Sequence, residues 1–168
     1  MIKALFAVDH YGGMGFNGTL PWPHNANDLA HFQKLTTGHV VVMGRRTWDD
    51  PKMPKPLMGR TVYVASHRHV NMAGRINGDI AEQVLALEQQ HPSQIIWVVG
   101  GPKLLEAAVD ILDEVHLTHF KSSFKIDTKI DLKVFLRGFA MTSASVAPDF
   151  KSTFVTYAPL FKRSTTST

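Results

Sequence analysis

Apolar runs of four to eight residues, rich in Val and Ile, recur at 2–8, 40–43, 61–65, 95–99 and 114–120, with helical periodicity between several of them. Strands this continuously apolar fit a sheet covered on both faces, so the pattern predicts an α/β fold with a mostly parallel sheet. Helices are expected over 26–36, from near Arg45, over 79–90 and over 102–110. Asp79 followed by Glu82 reads as an N-cap with a capping box, and Pro102 takes a favoured first helical position. After Asp127 the character changes, and the runs at 139–147 and 152–158 read as an antiparallel pair at the sheet edge. Neither a repeat nor a linker marks a second domain, so residues 1–162 are expected to form one domain, with 163–168 as a flexible tail.

Composition narrows the class. A chain of 168 residues suits one core. Its apolar runs fall well short of the roughly 20 residues that a membrane span requires. The first eight residues are apolar like a signal peptide, but Asp9 and His10 follow where a small-residue cleavage site would stand, so the segment reads as a first strand. The absence of cysteine excludes a disulfide framework and a thiolate metal site, and suits the cytoplasm. No H-E-x-x-H or G-x-S-x-G is present, and His116 and His119, three apart on a strand, point to opposite faces; no metal site is expected. A formal charge of +4 and a pI near 9.4 imply an anionic partner. The densest basic groups, Arg45-Arg46 and His67-Arg68-His69, are short and each follows an apolar run, which favours a small anionic ligand over nucleic acid.

Gly13, Gly15 and Gly18 form a literal G-x-G-x-x-G after the first strand, but Thr19-Leu20-Pro21-Trp22-Pro23 cannot open the helix that a dinucleotide fingerprint needs. The segment reads as a glycine-rich loop. Two other junctions pass from a buried strand through glycine into a helix start: Val42-Met43-Gly44-Arg45-Arg46-Thr47 and Val98-Val99-Gly100-Gly101-Pro102-Lys103. Free amides at such starts attract anions, and together the two could hold both ends of one dinucleotide. Ala65-Ser66-His67-Arg68-His69 ends another strand with a hydroxyl and several cationic groups, suiting either the extra phosphate of NADP or a solvated basic turn.

Asp28 shares a helix face with Phe32 and Leu35. A carboxylate on an apolar stripe needs a partner, such as a cationic or amidine-like ligand ring. It equally suits a capping role, three residues after Asn25.

In order, the motifs Gly15-x-x-Gly18-x-Leu20-Pro21-Trp22, Asp28-Leu29-x-x-Phe32, Met43-Gly44-Arg45-x-Thr47-Trp48, Leu57-x-Gly59-Arg60, Val99-Gly100-Gly101 and Leu117-Thr118-His119 resemble the dihydrofolate reductase family, from Ile2 to about Thr128. The resemblance implies a sheet of about eight strands with flanking helices and a C-terminal antiparallel edge. It implies NADPH as cofactor, dihydrofolate and antifolate-type molecules as ligands, and a monomer. Asp28 would bind the pterin's amino and ring nitrogens, with Thr118 linked to that network. Leu5, Ala7, Phe32, Met53, Leu57 and Val99 would line the folate pocket, and Arg60 would pair with the substrate's glutamate carboxylate. Gly44, Arg45, Arg46 and Thr47 would bind cofactor phosphates, Ser66, His67 and Arg68 the adenosine end, and Gly100, Gly101 and Leu104 the pyrophosphate side. The loop carrying Gly15, Gly18, Leu20 and Trp22 would close over the nicotinamide, which Ala7 and Val99 also approach. Leu105 departs from the family, which often has an aromatic residue there, and so keeps open an alternative: a folate- or nucleotide-binding structural protein without turnover. The segment Pro51-Lys52-Met53-Pro54-Lys55-Pro56 is unusually rich in proline and lysine.

Overall fold

The apolar runs become the interior strands of the computed structural model, which describes residues 1–164. The chain passes through β1 (Ile2–Val8), β2 (Gly13–Gly15), α1 (Ala26–Thr36), β3 (Val40–Gly44), α2 (Arg45–Asp49), β4 (Thr61–Ala65) and β5 (Gly74–Ile76). It continues through α3 (Ile80–Gln90), β6 (Ile96–Gly100), α4 (Pro102–Ala108), β7 (Glu114–Phe120), β8 (Thr128–Lys129), α5 (Leu132–Phe135), β9 (Phe139–Val146) and β10 (Ser152–Pro159). Eight strands form one sheet in the order β5-β4-β3-β6-β1-β7-β10-β9. From β5 to β7 every pairing is parallel, and β10 and β9 add the antiparallel edge.

Alternation along each strand divides the core. Ala4, Phe6 and Val8, Val40 and Val42, and Ile96 and Val98 face α3, α4 and α5, where Val84, Leu105 and Phe135 meet them. On the opposite face Val41, Met43, Val62 and Val64 pack with Trp48 of α2, Leu57 and Phe32 of α1. Asn25 and Asp79 cap α1 and α3 by accepting from the Asp28 and Glu82 amides, both at 2.9 Å.

Several expectations need correction. The helix expected over 102–110 stops at Ala108 and tightens into a 3-10 turn at Val109–Ile111. The strand at 95–99 shifts to Ile96–Gly100, the one at 40–43 extends to Gly44, and the one at 139–147 ends at Val146. The tail expected from 163 is tied down at its first residue, because Arg163 bonds to Asp113 and Glu88. Residues 165–168 lie outside the described residues. No helix among the described residues is long and apolar enough to cross a membrane.

Candidate active site

Parallel pairing of β3 with β6 sets the two strand–glycine–helix junctions side by side, with Met43 in register with Gly100. A Cβ placed on Gly44 would lie 3.4 Å from the Gly100 carbonyl oxygen and 3.5 Å from the Gly101 nitrogen, so the backbones approach closely there. Gly44 and Gly101 are the N-caps of α2 and α4, and neither helix start has a side-chain cap. The amides of their first turns, in α4 from Lys103 onward because Pro102 has none, are therefore free to meet an anion, at the carboxyl ends of parallel strands where α/β sheets place ligands. The Gly100–Gly101 peptide is cis, and Gly100 has φ 143°, a conformation that side chains disfavour. Thr47 points towards Gly100, with its Oγ1 3.9 Å from where a Cβ would stand.

A basic cluster gathers one strand away. Arg45 donates to Asp49, to the Ser66 hydroxyl at 3.3 Å and to the His69 carbonyl at 3.0 Å. Arg75 donates to the Ser66 carbonyl at 3.1 Å, and the Arg68 amide donates to the Ser66 hydroxyl. Arg46, His67 and Arg68 are exposed beside them. Ser66 is thus framed by cationic groups, which suits an anion at the end of β4.

Asp28 and Phe32 occupy one face of α1, four residues apart. Beneath them the sheet presents Leu5 and Ala7 of β1, in register with His116 and Thr118 of β7. Burial raises the Asp28 carboxyl above the usual aspartate range, and the Thr118 hydroxyl partly opposes that rise. No direct hydrogen bond closes between the two: Thr118 Oγ1 is buried without a partner. The capping reading of Asp28 holds for its amide, which Asn25 accepts, while its carboxylate is left for another partner.

Phe32, Met53, Leu57 and Val99 join one apolar cluster below α1. Arg60 lies 5.9 Å from the Phe32 ring centroid and is oriented by the Met58 carbonyl at 3.0 Å and the Thr36 hydroxyl at 3.4 Å. It leaves guanidinium hydrogens for a carboxylate at the outer end of the cluster.

The glycine-rich loop contains no helix, as its prolines require. Gly13–Gly15 instead pairs antiparallel with Thr128–Lys129, and Phe16 bridges Thr19 across a turn in which Asn17 and Gly18 have φ 51° and 77°. Leu20 is exposed, whereas Trp22 is buried, stacked on Phe120 at 4.5 Å and edge-on to Phe124. Trp22 therefore anchors the loop's far end. Leu104 does not turn its side chain to the glycine pair: it and Leu105 are buried in the core cluster beneath α4. Only the Leu104 amide, in the first turn, is placed to face an anion.

Met14 escaped sequence reasoning, since nothing local marks it; its Cε comes within 3.7 Å of the Gly100 Cβ position. His31 and Phe154 escaped for the same reason, being brought together only by α1 lying over β10.

The family model for dihydrofolate reductase matches residues 1–158. The dihydrofolate reductase of Mycobacterium tuberculosis is 36% identical over 119 residues, covering 70% of each chain. That of Staphylococcus aureus is 34% identical over 124 residues, 74% of each. A solved dihydrofolate reductase of Enterococcus faecalis, complexed with NADP(H) and RAB-propyl, superposes with a TM-score of 0.80 over 95% of this chain and 96% of that one, at 24% identity. The match extends beyond the Thr128 limit expected from motifs, through β9 and into β10. With paired helix starts on one side and a half-buried carboxylate over β1 on the other, the chain belongs to the dihydrofolate reductase family.

Proposed function

We propose that this protein reduces 7,8-dihydrofolate to 5,6,7,8-tetrahydrofolate with NADPH, and that the observation carrying the assignment of roles is the Asp28 carboxylate held beside Thr118 on an apolar face. The protein fits the cofactor at two independent places, the uncapped starts of α2 and α4 and the cationic frame around Ser66. Gly44, Arg45, Arg46, Thr47, Gly100, Gly101 and the Leu104 amide would hold the phosphates, with Arg45 also bracing Ser66, and Ser66, His67 and Arg68 would meet the adenosine end. The chemistry that NADPH would supply in this groove is a hydride from its nicotinamide, to be accepted at C6 of the pterin.

Asp28 would accept hydrogen bonds from the pterin's amino and ring nitrogens, fixing the ring's orientation and favouring its protonated state, with the N5 proton drawn from water. Leu5, Ala7, Phe32, Met53, Leu57 and Val99 would enclose the rings, and Arg60 would pair with the glutamate carboxylate. The loop from Gly15 through Gly18, Leu20 and Trp22 would cover the nicotinamide and exclude bulk water. The same reading takes residues 1–162 as one domain of a cytoplasmic monomer, with antifolate-type molecules as further ligands and neither nucleic acid nor membrane as a partner.

The test is loss of reduced-nicotinamide absorbance on mixing the protein with NADPH and dihydrofolate, beside a folded Asp28→Asn variant. Turnover by the parent with a strongly slowed variant is expected. Equal rates would remove Asp28 from its role, and an inactive, folded parent would remove the activity.

A further inference from the structure

We propose that Asp9 is the positioning residue of the glycine-rich loop, setting the nicotinamide end of the cofactor groove from a buried joint; the proposal rests on the functional reading above. Asp9 directly follows β1 and is 1% exposed. It has no ion-pair partner among the described residues and is held entirely by amides. Oδ1 accepts from the Gly13 amide at 2.7 Å and the Tyr11 amide at 2.9 Å, and Oδ2 accepts from the Phe124 amide at 3.0 Å. A buried carboxylate is costly unless such charge-assisted bonds surround it. Here the donors come from two segments far apart in sequence, the glycine-rich loop and the connection after β7.

Carboxylate chemistry is specific to this arrangement. Both oxygens accept, so the two segments are gripped from opposite sides of one group, whereas an asparagine would present an amino group to one set of donors. Steric fit points the same way. A Cβ on Gly13 would stand 2.9 Å from Asp9 Oδ1 and would collide with Ile126 Cγ2, so glycine is what lets the loop reach the carboxylate. Phe124 is held twice, its amide by Asp9 and its ring by Trp22, which links the start of the loop to its end.

Beside the carboxylate the buried Ile130 amide donates to the Gly12 carbonyl at 3.0 Å, whereas farther out the Asn17 amide meets Asp127 Oδ2 at 3.0 Å on the exposed side. Exposed bonds exchange with water readily, and the buried joint of Asp9, Gly12 and Gly13 does not, so the loop hinges there, with the Asp9 carboxylate as its charged member. Met14 follows Gly13 directly and reaches Gly100. Release of Gly13 therefore moves Met14 off the glycine pair while the frame around Ser66 stays in place.

The test compares the full-length parent and Asp9→Asn by Kd for NADPH, by Kd for adenosine 2′,5′-bisphosphate, and by single-turnover hydride transfer with deuterated cofactor. In the folded variant we expect NADPH binding and hydride transfer each to weaken at least ~10-fold, with the bisphosphate Kd unchanged within ~2-fold. Unaltered NADPH binding and transfer, or equal losses for both ligands, would overturn the proposal. Should Asp9→Asn fail to fold, amide exchange in the parent decides. Gly13 and Phe124 protection should rise together on adding NADPH and not on adding the bisphosphate; independent responses would overturn it. A parent that binds NADPH but does not reduce dihydrofolate would count against the activity alone, since the binding and exchange readouts need no turnover.

Discussion

The His31 ring lies face to face on Phe154, with centroids 4.0 Å apart and planes 9° from parallel. Phe154 is in register with Thr118, and His31 follows Asp28 by three residues on α1, so the stack abuts the candidate pterin site. Burial lowers the His31 pKa below its ordinary 6.5, with His116 on β7 and Lys34 on α1 adding to the effect. Asp28 on the same helix and Glu114, bonded to His116, are the acidic groups nearby.

A histidine whose folded pKa is depressed contributes stability that is present above its unfolded value and lost as pH falls through the folded one. Replacing His31 with phenylalanine preserves a stacked ring and removes the titration. The melting temperature of His31→Phe should fall less steeply than the parent's from about pH 7 to about pH 5, and parallel curves would contradict the assignment.

Asp28 carries the opposite sign. Its carboxyl is raised by burial, so its contribution to stability is full below the ordinary 3.8 and is lost as pH rises through the folded value. At neutral pH Asp28→Asn should therefore be more stable than the parent, by about 1 kcal/mol or ~3 °C, while turnover falls at least ~100-fold. The stability difference should vanish on acidification, as thermal melts across pH will show.

Arg163 bonds to both Asp113 oxygens and to Glu88, with all three side chains largely buried. Arg163→Ala leaves Glu88 with the Met1 ammonium at 3.2 Å and Asp113 with the Ile2 amide at 2.8 Å as their remaining partners, costing about 2 kcal/mol, or ~6 °C in melting temperature. Turnover should stay within ~2-fold, because the network lies away from the site. An unchanged melting temperature would show that solvent already screens the cluster.

Gly13 admits no Cβ against Ile126. Gly13→Ala should cost about 2 kcal/mol, and less in an Ile126→Ala background, with a coupling of at least ~1 kcal/mol in a double-mutant cycle. Additive costs would mean that the loop gives way without resistance.

Where one face of an element carried its own signal, the sequence was sufficient. The strands at 61–65 and 114–120 and the helix at 26–36 need only apolar periodicity and, for α1, an Asn25 cap. β2, β5 and β8 were not legible because they are two or three residues long and exist only through pairing with distant segments. The edge strands beyond Thr128 show alternation but carry no site motif, so motif matching stopped short of the family match. Within the site, the glycine junctions and Asp28 stood out through residue type and position. Asp9, Met14 and His31 did not, because their meaning lies in partners that folding alone supplies.

The strand order also bears on how the chain is made. β1 lies in the middle of the sheet, yet Ile2 pairs with Ile96, and Lys3 pairs with Glu114. On a ribosome this apolar strand emerges well ahead of its partners and waits, unpaired, until Ile96 and the rest of β6 follow. Such long-range closure slows folding and leaves a sticky segment open to other nascent chains. Truncated products ending before β6 should therefore depend on holdase chaperones to remain in solution.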